Sequence, residues 1–407
     1  MKILYVINRF YPAIGGAETH VYLLSKYLAK NGHEVTVYTT NSLSSKDITN
    51  LSLVPPFIKP GESKKKCFDE TIDGFSIKRF DLKYRYWSFN WIPNMFRELK
   101  NNTNDFDIVH AHGYHISTSL IACYYAKKCG KPFILTGHDL IIPDNLSPDA
   151  KIFKKTYDAI FGKYLLKNAR RLIALTSDHI QQYNERGGDT NKIRIIPNGI
   201  ELTKYNNVEI PSEFLRNFGI FEEDIILLFV GRIEKYKGIQ DVIEIMPSLL
   251  KKYPSIKFVV VGKEYGFLGE LENLSRRLNL GDKVIFTGNV SEEFLVKLYK
   301  RANFFILPSK MEGFGIVFLE AMASSTLCIA YPIPAVRKLI QNKKNGILVN
   351  DQKELLNNIL YYLENFKEKA ELERNAMEYV KNYDINNIIT SIEGVYSEGI
   401  NENMLDR

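Results

Sequence analysis

Two glutamates in an otherwise apolar stretch are the residues whose types and spacing first suggest chemistry. Glu312 lies in a glycine turn, and Glu320 lies within residues 316–323, which are typical of a helix that is apolar nearly all round. An unpartnered buried carboxylate is costly, so each glutamate needs either solvent or a polar group to bind. Helical side chains lean towards the helix N-terminus, which directs Glu320 back at the turn. We expect both carboxylates at the carboxyl end of a strand over residues 304–307, where open α/β sheets bind ligands. The alternative is that Glu320 lies on a narrow solvent-exposed face of the helix and that Glu312 lies in a surface loop.

Two cations follow another apolar run that is typical of a buried strand, residues 225–230. The run ends in Gly231, and Arg232 and Lys237 come directly after it. Carboxyl ends of parallel strands share one edge of a sheet, so these cations are expected beside the glutamates. A guanidinium can bind phosphate oxygens through two parallel N–H groups, and an ammonium adds a point charge. Carboxylates can accept hydrogen bonds from sugar and ribose hydroxyls. This combination predicts a nucleotide-sugar site in which the cations replace a metal ion.

The length of 407 residues exceeds what one hydrophobic core usually supports, so two domains are expected. Helical patterns over 239–252, 268–278, 292–301 and 316–323 alternate with apolar strands in the second half, which predicts a doubly wound sheet there. The Pro-Asn-Gly at 197–199 marks the linker. We place the domains at 1–197 and 198–382, followed by a helical segment over 383–407.

The four cysteines form no C-x-x-C pair, which disfavours a zinc site or a disulfide framework and suits a reducing compartment. The apolar run at the N-terminus is too short for a signal peptide or a membrane span. These features predict a cytoplasmic protein.

Charge is uneven along the chain. Residues 1–200 hold 28 Lys and Arg against 18 Asp and Glu, whereas residues 201–407 hold 26 against 29. A basic first half indicates an anionic partner such as phosphate, nucleic acid or an acidic membrane surface. Residues 83–91 combine both tryptophans with Lys, Arg and Tyr, which favours a membrane interface or an extended ligand. An insertion that packs on its own domain is the alternative, within a segment, 41–100, that we interpret as irregular.

The chain opens as a β–loop–α–β unit of Rossmann type. A strand over residues 3–7 precedes Gly15 and Gly16, then a helix over 17–30 and a strand over 35–39. Glycines before a helix N-terminus can receive phosphate, although a plain loop is the alternative. The full G-x-G-x-x-G pattern is absent, as is an acidic residue at the end of the second strand. A dinucleotide site, and with it an NAD oxidoreductase, is therefore disfavoured.

Histidines follow two further predicted strands of the first half. His110 and His112 have metal-like spacing but lack a third ligand with sensible spacing, so no metal site is predicted. His138 follows the strand over 133–136, where it can serve a site or act only as a strand-end hydrogen bonder.

Six ordered motifs together carry a family resemblance: IGGAETH at 14–20, HAH at 110–112, GHD at 137–139, IIPNGIE at 195–201, VGRIEKYKG at 230–238 and EGFGIVFLE at 312–320. The chain resembles a retaining family 4 glycosyltransferase. The resemblance implies an α/β protein of GT-B fold, with two Rossmann-like doubly wound parallel-sheet domains facing a central cleft. The first domain is then expected to bind the acceptor and the second the nucleotide-sugar donor. The resemblance also implies that the helical segment over 383–407 packs back on the first domain.

The resemblance implies transfer of a hexose from a UDP- or GDP-linked donor to a glycan or lipid-linked acceptor, in cell-envelope or surface polysaccharide and glycolipid synthesis. It implies no metal, no cofactor and no nucleic acid, with peripheral contact at the inner face of the cell membrane. The residues expected in catalysis are Arg232, Lys237, His138 and Glu312. Those expected to bind the donor are Gly15, Gly16, Gly231, Arg232, Lys237, Glu312, Gly313, Phe314, Gly315 and Glu320.

One segment departs from the family pattern. Where relatives usually carry Gly-Gly-x-Pro-Glu, residues 331–338 read YPIPAVRK, and Ser325 replaces a usual glycine. This departure puts the choice of donor in doubt and keeps an alternative open, a catalytically weak nucleotide-sugar-binding subunit that supports another transferase. A nucleotide-sugar epimerase is disfavoured because no motif supplies the acid–base residues that carbon–hydrogen cleavage needs.

Overall fold

The computed structural model describes residues 1–13, 15–42, 67–86, 89–138, 140, 148–206, 208–211, 215–216 and 218–405. Four residues of the motifs and clusters named above, Ile14, Trp87, Ser88 and Asp139, lie outside these ranges, as does most of the segment 41–66. The chain divides into two compact units. Unit 1 comprises Met1–Gly199 with Ile385–Arg407, and unit 2 comprises Ile200–Asp384.

Unit 1 is built on an eight-stranded sheet and a separate two-stranded hairpin. The strands are β1 (Lys2–Ile7), β2 (Glu34–Thr40), β3 (Cys67–Ile72), β4 (Phe75–Phe80), β5 (Tyr84–Tyr86), β6 (Phe89–Trp91), β7 (Ile108–His112), β8 (Phe133–Thr136), β9 (Arg171–Ala174) and β10 (Ile193–Ile195). The sheet order is β10-β9-β8-β7-β1-β2-β4-β3, and β5 pairs only with β6. All pairings in the large sheet are parallel except that of β3 with β4.

Helices cover both faces of this sheet, so its central strands are apolar on both sides. Residues 3–6 of β1 are fully buried. The helices are α1 (Gly16–Lys30), α2 (Pro93–Asn102), α3 (Ser117–Lys128), α4 (Pro148–Tyr157), α5 (Lys163–Asn168) and α6 (Ser177–Glu185), with a π-helical turn, Asp158–Gly162, joining α4 to α5. The predicted apolar face of α1 is fully buried and consists of Val21, Leu24 and Leu28. This burial confirms the helical spacing of apolar residues from which the helix was predicted.

The interpretation of 41–100 as irregular is wrong for its second half. Residues 67–80 form the antiparallel hairpin β3–β4, and β4 extends the main sheet by pairing in parallel with β2. The signal is the Asp73-Gly74 pair at the turn, with φ of 46° and 84°. An Asp-Gly pair between alternating runs is a strong short-range hairpin pattern.

Unit 2 contains a six-stranded, fully parallel sheet in the order β13-β12-β11-β14-β15-β16. Its strands are β11 (Ile225–Val230), β12 (Ile256–Val261), β13 (Val284–Gly288), β14 (Phe304–Leu307), β15 (Leu327–Ala330) and β16 (Ile347–Leu348). Its longer helices are α7 (Ile239–Lys252), α8 (Leu268–Arg277), α9 (Glu292–Arg301), α10 (Ile316–Ala323), α11 (Pro334–Leu339), α12 (Gln352–Glu364) and α13 (Phe366–Val380). The predicted doubly wound α/β architecture is confirmed, and the four helices predicted between 239 and 323 begin at the predicted residues.

A last helix, α14 (Ile385–Leu405), belongs to unit 1 although unit 2 precedes it in the chain. Its buried face includes Ile388, Ile392 and Tyr396. The Tyr396 hydroxyl lies 2.8 Å from that of Tyr5 on β1 and 2.7 Å from His110 Nδ1 on β7. The helix is therefore tied to the central strands of the unit 1 sheet. Among the described residues, no helix combines the length and apolarity needed to cross a membrane.

Candidate functional site

A buried ion pair lies at the carboxyl edge of the unit 2 sheet. Lys237 Nζ donates a hydrogen bond of 2.7 Å to Glu312 Oε1, and each side chain is only 10% exposed. Lys237 closes a 3₁₀ turn, Lys235–Lys237, that follows β11, and Glu312 lies between β14 and α10. Neighbouring strands of the sheet thus supply the cation and the carboxylate, as the sequence predicted for this edge.

A close backbone approach brings these two segments together. Gly238 has φ of 77°, in the left-handed region, and a Cβ added to it would lie 2.1 Å from the carbonyl oxygen of Pro308. Only glycine fits this position without a shift of the backbone. The contact sets the segment after β11 directly against the segment after β14. It explains why Lys237 reaches Glu312.

Arg232 lies beside this pair and is more open to solvent. Its Nη2 donates a 2.6 Å hydrogen bond to the hydroxyl of Tyr236 and lies 3.5 Å from Glu234 Oε2, while the side chain is 51% exposed. The guanidinium also lies 5.4 Å from the ring centre of Tyr265. The Tyr236 backbone oxygen in turn accepts a hydrogen bond from the Lys310 amide at 2.8 Å. Tyr236 therefore links the arginine to the loop that holds Glu312.

The glycine turn after β14 ends at the start of α10. Gly315 caps the helix with φ of 91°, and a Cβ there would lie 2.9 Å from the Phe318 ring. Phe314 is buried and Gly313 is exposed. The turn holds the α10 N-terminus at the edge where the ion pair lies, and Gly231 joins β11 to Arg232 on the same edge.

Glu320 has a different partner from Glu312. Its Oε2 accepts a 2.9 Å hydrogen bond from the hydroxyl of Tyr299, on α9. Burial raises the pKa of Glu320 to about 7, although the Tyr299 hydrogen bond and nearby Lys204 act in the opposite direction. The two glutamates do not share hydrogen-bond partners. Glu320 is poised between its neutral and ionised forms near neutral pH.

In unit 1, Gly15 directly precedes α1 and Gly16 is its first residue, so the helix begins one residue earlier than predicted. The Glu18 carboxylate covers Gly15, since a Cβ on Gly15 would lie 2.3 Å from Glu18 Oε2. Glu18 is paired with Arg9 at 2.9 Å and is buried. No described residue lies within 4 Å of a Cβ built on Gly16, so the described part of the chain leaves open space beside that residue.

His138 belongs to a cluster of four histidines in unit 1. His138 Nε2 lies 3.1 Å from His112 Nδ1, and the His20 ring lies 5.7 Å from that of His138, centre to centre. His110 completes the cluster and contacts the Thr136 hydroxyl through Nε2 at 2.8 Å. Burial, followed by repulsion from neighbouring histidines, lowers the pKa of His110 to about 3 and those of His20 and His112 well below the usual range. These three rings are therefore neutral at physiological pH.

Several residues of the two clusters escaped the sequence analysis. Tyr236 and Tyr299 hold Arg232 and Glu320, and His20 joins His138. Tyr236 could have been identified from the sequence because it lies inside the VGRIEKYKG motif, and His20 could have been identified because it lies inside IGGAETH. Tyr299 carries no local signal, since it comes from a separate helix. Among the described residues, no group of three or more His, Cys, Asp or Glu side chains is arranged to hold a metal ion.

The segment that departs from the family pattern forms the short helix α11 and the turn before it. The Tyr331 hydroxyl donates a 2.8 Å hydrogen bond to Asp241 Oδ2 on α7, and Arg337 Nε donates to the Pro332 oxygen at 2.6 Å. Ser325 has φ of 58°, the left-handed conformation that favours glycine. The departure thus places a strained serine after α10 and a tyrosine beside the first turn of α7.

Two family models match consecutive parts of the chain. Residues 14–204 match the model described as glycosyltransferase family 4, and residues 212–379 match the model described as glycosyl transferases group 1. The alpha-monoglucosyldiacylglycerol synthase of Streptococcus pneumoniae is 28% identical over 88% of this chain and 78% of its own. A GDP-mannose:cellobiosyl-diphosphopolyprenol alpha-mannosyltransferase of Xanthomonas oryzae pv. oryzae is 25% identical over 87% and 84%.

The fold is also that of solved glycosyltransferases. HepE of Anabaena, whose structure was solved in complex with UDP and glucose, matches with a TM-score of 0.76 at 18% identity, covering 98% of this chain and 99% of its own. Such low identity establishes only the shared GT-B fold. The shared fold and the two family models together lead to one conclusion. The chain is a glycosyltransferase and belongs to family 4, the group 1 type.

Proposed function

We propose that this glycosyltransferase moves a hexose, with retention of anomeric configuration, from a UDP- or GDP-linked donor to a glycan or lipid-linked acceptor. It works without a metal ion, in cell-envelope or surface polysaccharide and glycolipid synthesis, at the inner face of the cell membrane. The observation that carries the proposal is the buried Lys237–Glu312 pair beside the half-exposed Arg232. It joins phosphate-binding cations to a hydroxyl-binding carboxylate on one edge of a sheet.

Arg232 and Lys237 bind the donor diphosphate and stabilise the charge that develops on the leaving group. An ammonium has three N–H donors, and Glu312 uses one of those of Lys237. Half of the Arg232 side chain is open to solvent, so its guanidinium N–H groups can donate hydrogen bonds to phosphate oxygens. Preorganised charge of this kind is usually the largest single contribution to catalysis, and here it takes the place of a metal.

The two glutamates accept hydrogen bonds from hydroxyl groups of the donor. Glu312, held by Lys237, binds the transferred sugar, and Glu320, held by Tyr299, binds the ribose. Gly231, Gly313, Phe314 and Gly315 shape the backbone around them. Ribose hydroxyls favour the ionised form of Glu320, so donor binding draws its pKa down from about 7.

Unit 1 contributes groups that complete the reaction. Backbone N–H groups at Gly15 and Gly16 approach the donor phosphate, and His138 lies by the sugar near the anomeric carbon. The acceptor attacks the face that the nucleotide leaves, and a phosphate oxygen of the nucleotide takes the acceptor proton. The names of the two bacterial relatives, which specify a diacylglycerol glycolipid and a diphosphopolyprenol, support a lipid-linked acceptor.

The test is transfer of radiolabelled sugar from a panel of UDP- and GDP-sugars to a lipid extract, with and without EDTA. We expect product with at least one donor, insensitivity to EDTA and an α-linkage from an α-linked donor by NMR. Glu312→Ala should lower the rate at least about 100-fold. Glu270→Ala, which removes an exposed carboxylate of α8, is the matched control and should leave the rate unchanged. Equal rates for wild type and Glu312→Ala would refute the assignment.

A non-catalytic subunit that binds nucleotide sugar and supports another transferase is the second candidate. It is favoured by one observation, the altered segment 331–338, where Tyr331 is bonded to Asp241 and residues 334–338 lie in α11. This candidate predicts calorimetric binding of UDP or GDP without hydrolysis or transfer for any donor. Turnover that depends on Glu312 excludes it.

A further inference from the structure

Two histidine rings are joined at the carboxyl edge of the unit 1 sheet by a hydrogen bond to which the proposed reaction assigns no task. His138 Nε2 lies 3.1 Å from His112 Nδ1. The two ring planes are inclined by only 24°, and the ring centres are 5.3 Å apart. Because Nε2 is engaged with His112, a sugar hydroxyl would have to approach the His138 ring at Nδ1.

The sheet fixes the orientation of the His112 ring. His110 and His112 are two residues apart on β7, so their side chains lie on the same face of the strand, and their ring centres are 4.2 Å apart. The ring of Tyr5, on the neighbouring strand β1, lies 5.2 Å from that of His112. The His112 side chain is fully enclosed, with 1% exposure. It is therefore a rigid support for the more exposed His138.

His110 is in turn anchored at both ring nitrogens. Its Nδ1 lies 2.7 Å from the Tyr396 hydroxyl, and its Nε2 lies 2.8 Å from the Thr136 hydroxyl. Tyr396 belongs to α14, so a buried series of contacts runs from the last helix of the chain through His110 and His112 to His138. Each ring in this series packs against the next.

The His112 ring is neutral and carries one hydrogen. Burial lowers the pKa of His112 well below the usual range, and the neighbouring histidines lower it further. A neutral imidazole has one N–H donor and one acceptor nitrogen. The hydrogen is therefore either on Nδ1, directed at His138, or on Nε2.

The surroundings of His112 Nε2 favour the first of these two forms. This nitrogen is buried and makes no hydrogen bond within the described part of the chain. A hydrogen on Nε2 would leave a buried N–H without an acceptor, which is rarer in proteins than a buried acceptor without a donor. With the hydrogen on Nδ1, the single N–H of His112 is bonded to His138 Nε2.

We infer that His112 is a positioning residue for the transfer reaction, which donates from Nδ1 to Nε2 of His138 and fixes both the direction and the tautomer of that ring. With Nε2 as the acceptor, a neutral His138 carries its hydrogen on Nδ1 and offers a hydrogen-bond donor, rather than a base, to a hydroxyl of the donor sugar. His110, anchored by Tyr396, supports this arrangement. The inference rests on the proposed function, because it assigns the site role of His138 to one defined nitrogen.

The hydrogen positions can be measured without a donor and without turnover. In the full chain with isotope-labelled histidine, proton–nitrogen correlation spectra distinguish a ring that carries its hydrogen on Nδ1 from one that carries it on Nε2. His112→Asn and His138→Asn assign the two rings. We expect the hydrogen on Nδ1 of His112 and a bare Nε2 on His138. A hydrogen on Nε2 of His112 overturns the proposal.

Two substitutions of His112 test its task in the reaction. His112→Leu fills the buried space but removes the N–H donor, so kcat should fall about 10–100-fold while KM for the donor changes by less than about threefold, because orientation matters mostly in the transition state. His112→Asn keeps an N–H donor near the position of Nδ1 and should restore kcat to within about fivefold of wild type. Equal losses in the two variants overturn the proposal.

A double-variant cycle shows whether His112 acts through His138. If it does, His112→Leu should lower kcat of the His138→Ala enzyme by less than about twofold, because the ring that His112 orients is already absent. A further loss as large as that in the wild-type background would mean that His112 acts by another route, and it overturns the proposal.

His33→Leu is the matched control for a general loss of stability. His33 also bonds α14, through Glu393 at 2.9 Å, but it precedes β2 and lies at the opposite edge of the sheet. Its replacement should leave kcat unchanged, whereas Tyr396→Phe, which removes the hydroxyl from His110, should lower kcat about threefold to tenfold. Equal losses of kcat in His33→Leu and His112→Leu overturn the proposal.

The two kinds of measurement separate this inference from the proposed function. Absence of transfer with every donor contradicts the proposed function, while the spectra still show whether His112 donates to His138. Transfer by an enzyme whose His112 carries its hydrogen on Nε2 contradicts the positioning role alone.

Discussion

Unit 1 and unit 2 both end their parallel strands in polar side chains, but unit 1 presents neutral histidines where unit 2 presents ions. His20, His110 and His112 are buried and hold lowered pKa values, so they carry no charge at pH 7. In unit 2, Lys237 and Glu312 form a charge-assisted hydrogen bond, and Arg232 stands half-exposed beside them.

In the proposed reaction the two sheets would have separate tasks. Fixed charge is suited to a diphosphate whose charge increases as the glycosidic bond breaks. A neutral edge can accept and donate hydrogen bonds around a sugar without attracting a second anion. If this division holds, removing charge from unit 2 should cost activity, whereas removing a histidine nitrogen from unit 1 can even add stability.

The largest effect is expected from Lys237→Ala. The substitution removes a cation from the proposed leaving-group site and leaves Glu312 without its partner, so the transfer rate should fall about 10²–10³-fold. Lys235→Ala removes an exposed lysine of the same 3₁₀ turn and should stay within about twofold of wild type. Steady-state kinetics with a saturating donor provide the measurement. Similar rates for the two variants would remove the contrast between the units.

Glu320 should make unit 2 sensitive to pH. A carboxyl whose pKa is raised in the folded state, to about 7, binds protons that the unfolded chain has released, so its contribution to stability is lost as pH rises from about 4.5 to 7. Glu320→Gln removes this loss. It should raise the free energy of unfolding by up to about 3 kcal/mol at pH 8 and by little at pH 4, as measured by urea denaturation.

Tyr299→Phe tests the same site by removing the hydrogen-bond donor of Glu320 rather than its carboxylate. The tyrosine hydroxyl favours the carboxylate form of Glu320, so its removal should move the pH midpoint of UDP or GDP affinity upward from near 7. Affinity in wild type should increase with pH through that midpoint, and Glu320→Gln should show no such increase. A midpoint that moves downward would contradict the assignment of Tyr299.

His20→Leu tests the neutral edge. Both ring nitrogens of His20 are buried and make no hydrogen bond within the described part of the chain. An apolar side chain of similar volume should therefore stabilise the protein by about 1–2 kcal/mol at pH 7. A histidine with a lowered pKa loses stability as pH falls below about 6.5, so the gain should be larger at pH 5. Thermal unfolding curves at both pH values test this expectation. A destabilised variant would contradict it and would show that the His20 ring makes stabilising contacts that leucine cannot replace.

The smallest effect is expected at the end of the helix that carries Glu320. The amides of Thr326 and Ser325 bond the carbonyls of Ala321 and Met322, which is a Schellman motif with Ser325 at the position that glycine favours. Ser325→Gly relieves the left-handed strain of a residue with a side chain and should add about 1 kcal/mol of stability. Ser324→Gly, one residue earlier, should instead destabilise, and thermal denaturation distinguishes the two.

Much of the fold could be predicted from the sequence because buried parallel strands consist of nearly continuous apolar runs. It also placed Lys237 and Glu312 on one edge, since each follows such a run. The hairpin β3–β4 could have been predicted from the Asp73-Gly74 pair, but the segment was interpreted as irregular. The bond from Tyr299 to Glu320 was out of reach because no local pattern specifies which helix packs beside α10. Likewise, Lys127, Lys167 and Lys192 come from separate segments of the chain, and only the packed fold places them around one cavity.

The position of α14 in the chain imposes an order on synthesis. The hydroxyls of Tyr5 and Tyr396 meet in unit 1, yet 390 residues separate them, and all of unit 2 is translated in between. Unit 2 can form its sheet from one continuous segment while β1, β7 and α1 still lack the helix that covers them. Until α14 leaves the ribosome, the apolar surface that Ile388 and Ile392 will bury stays exposed. The first part of the protein to be made is therefore the last to be finished.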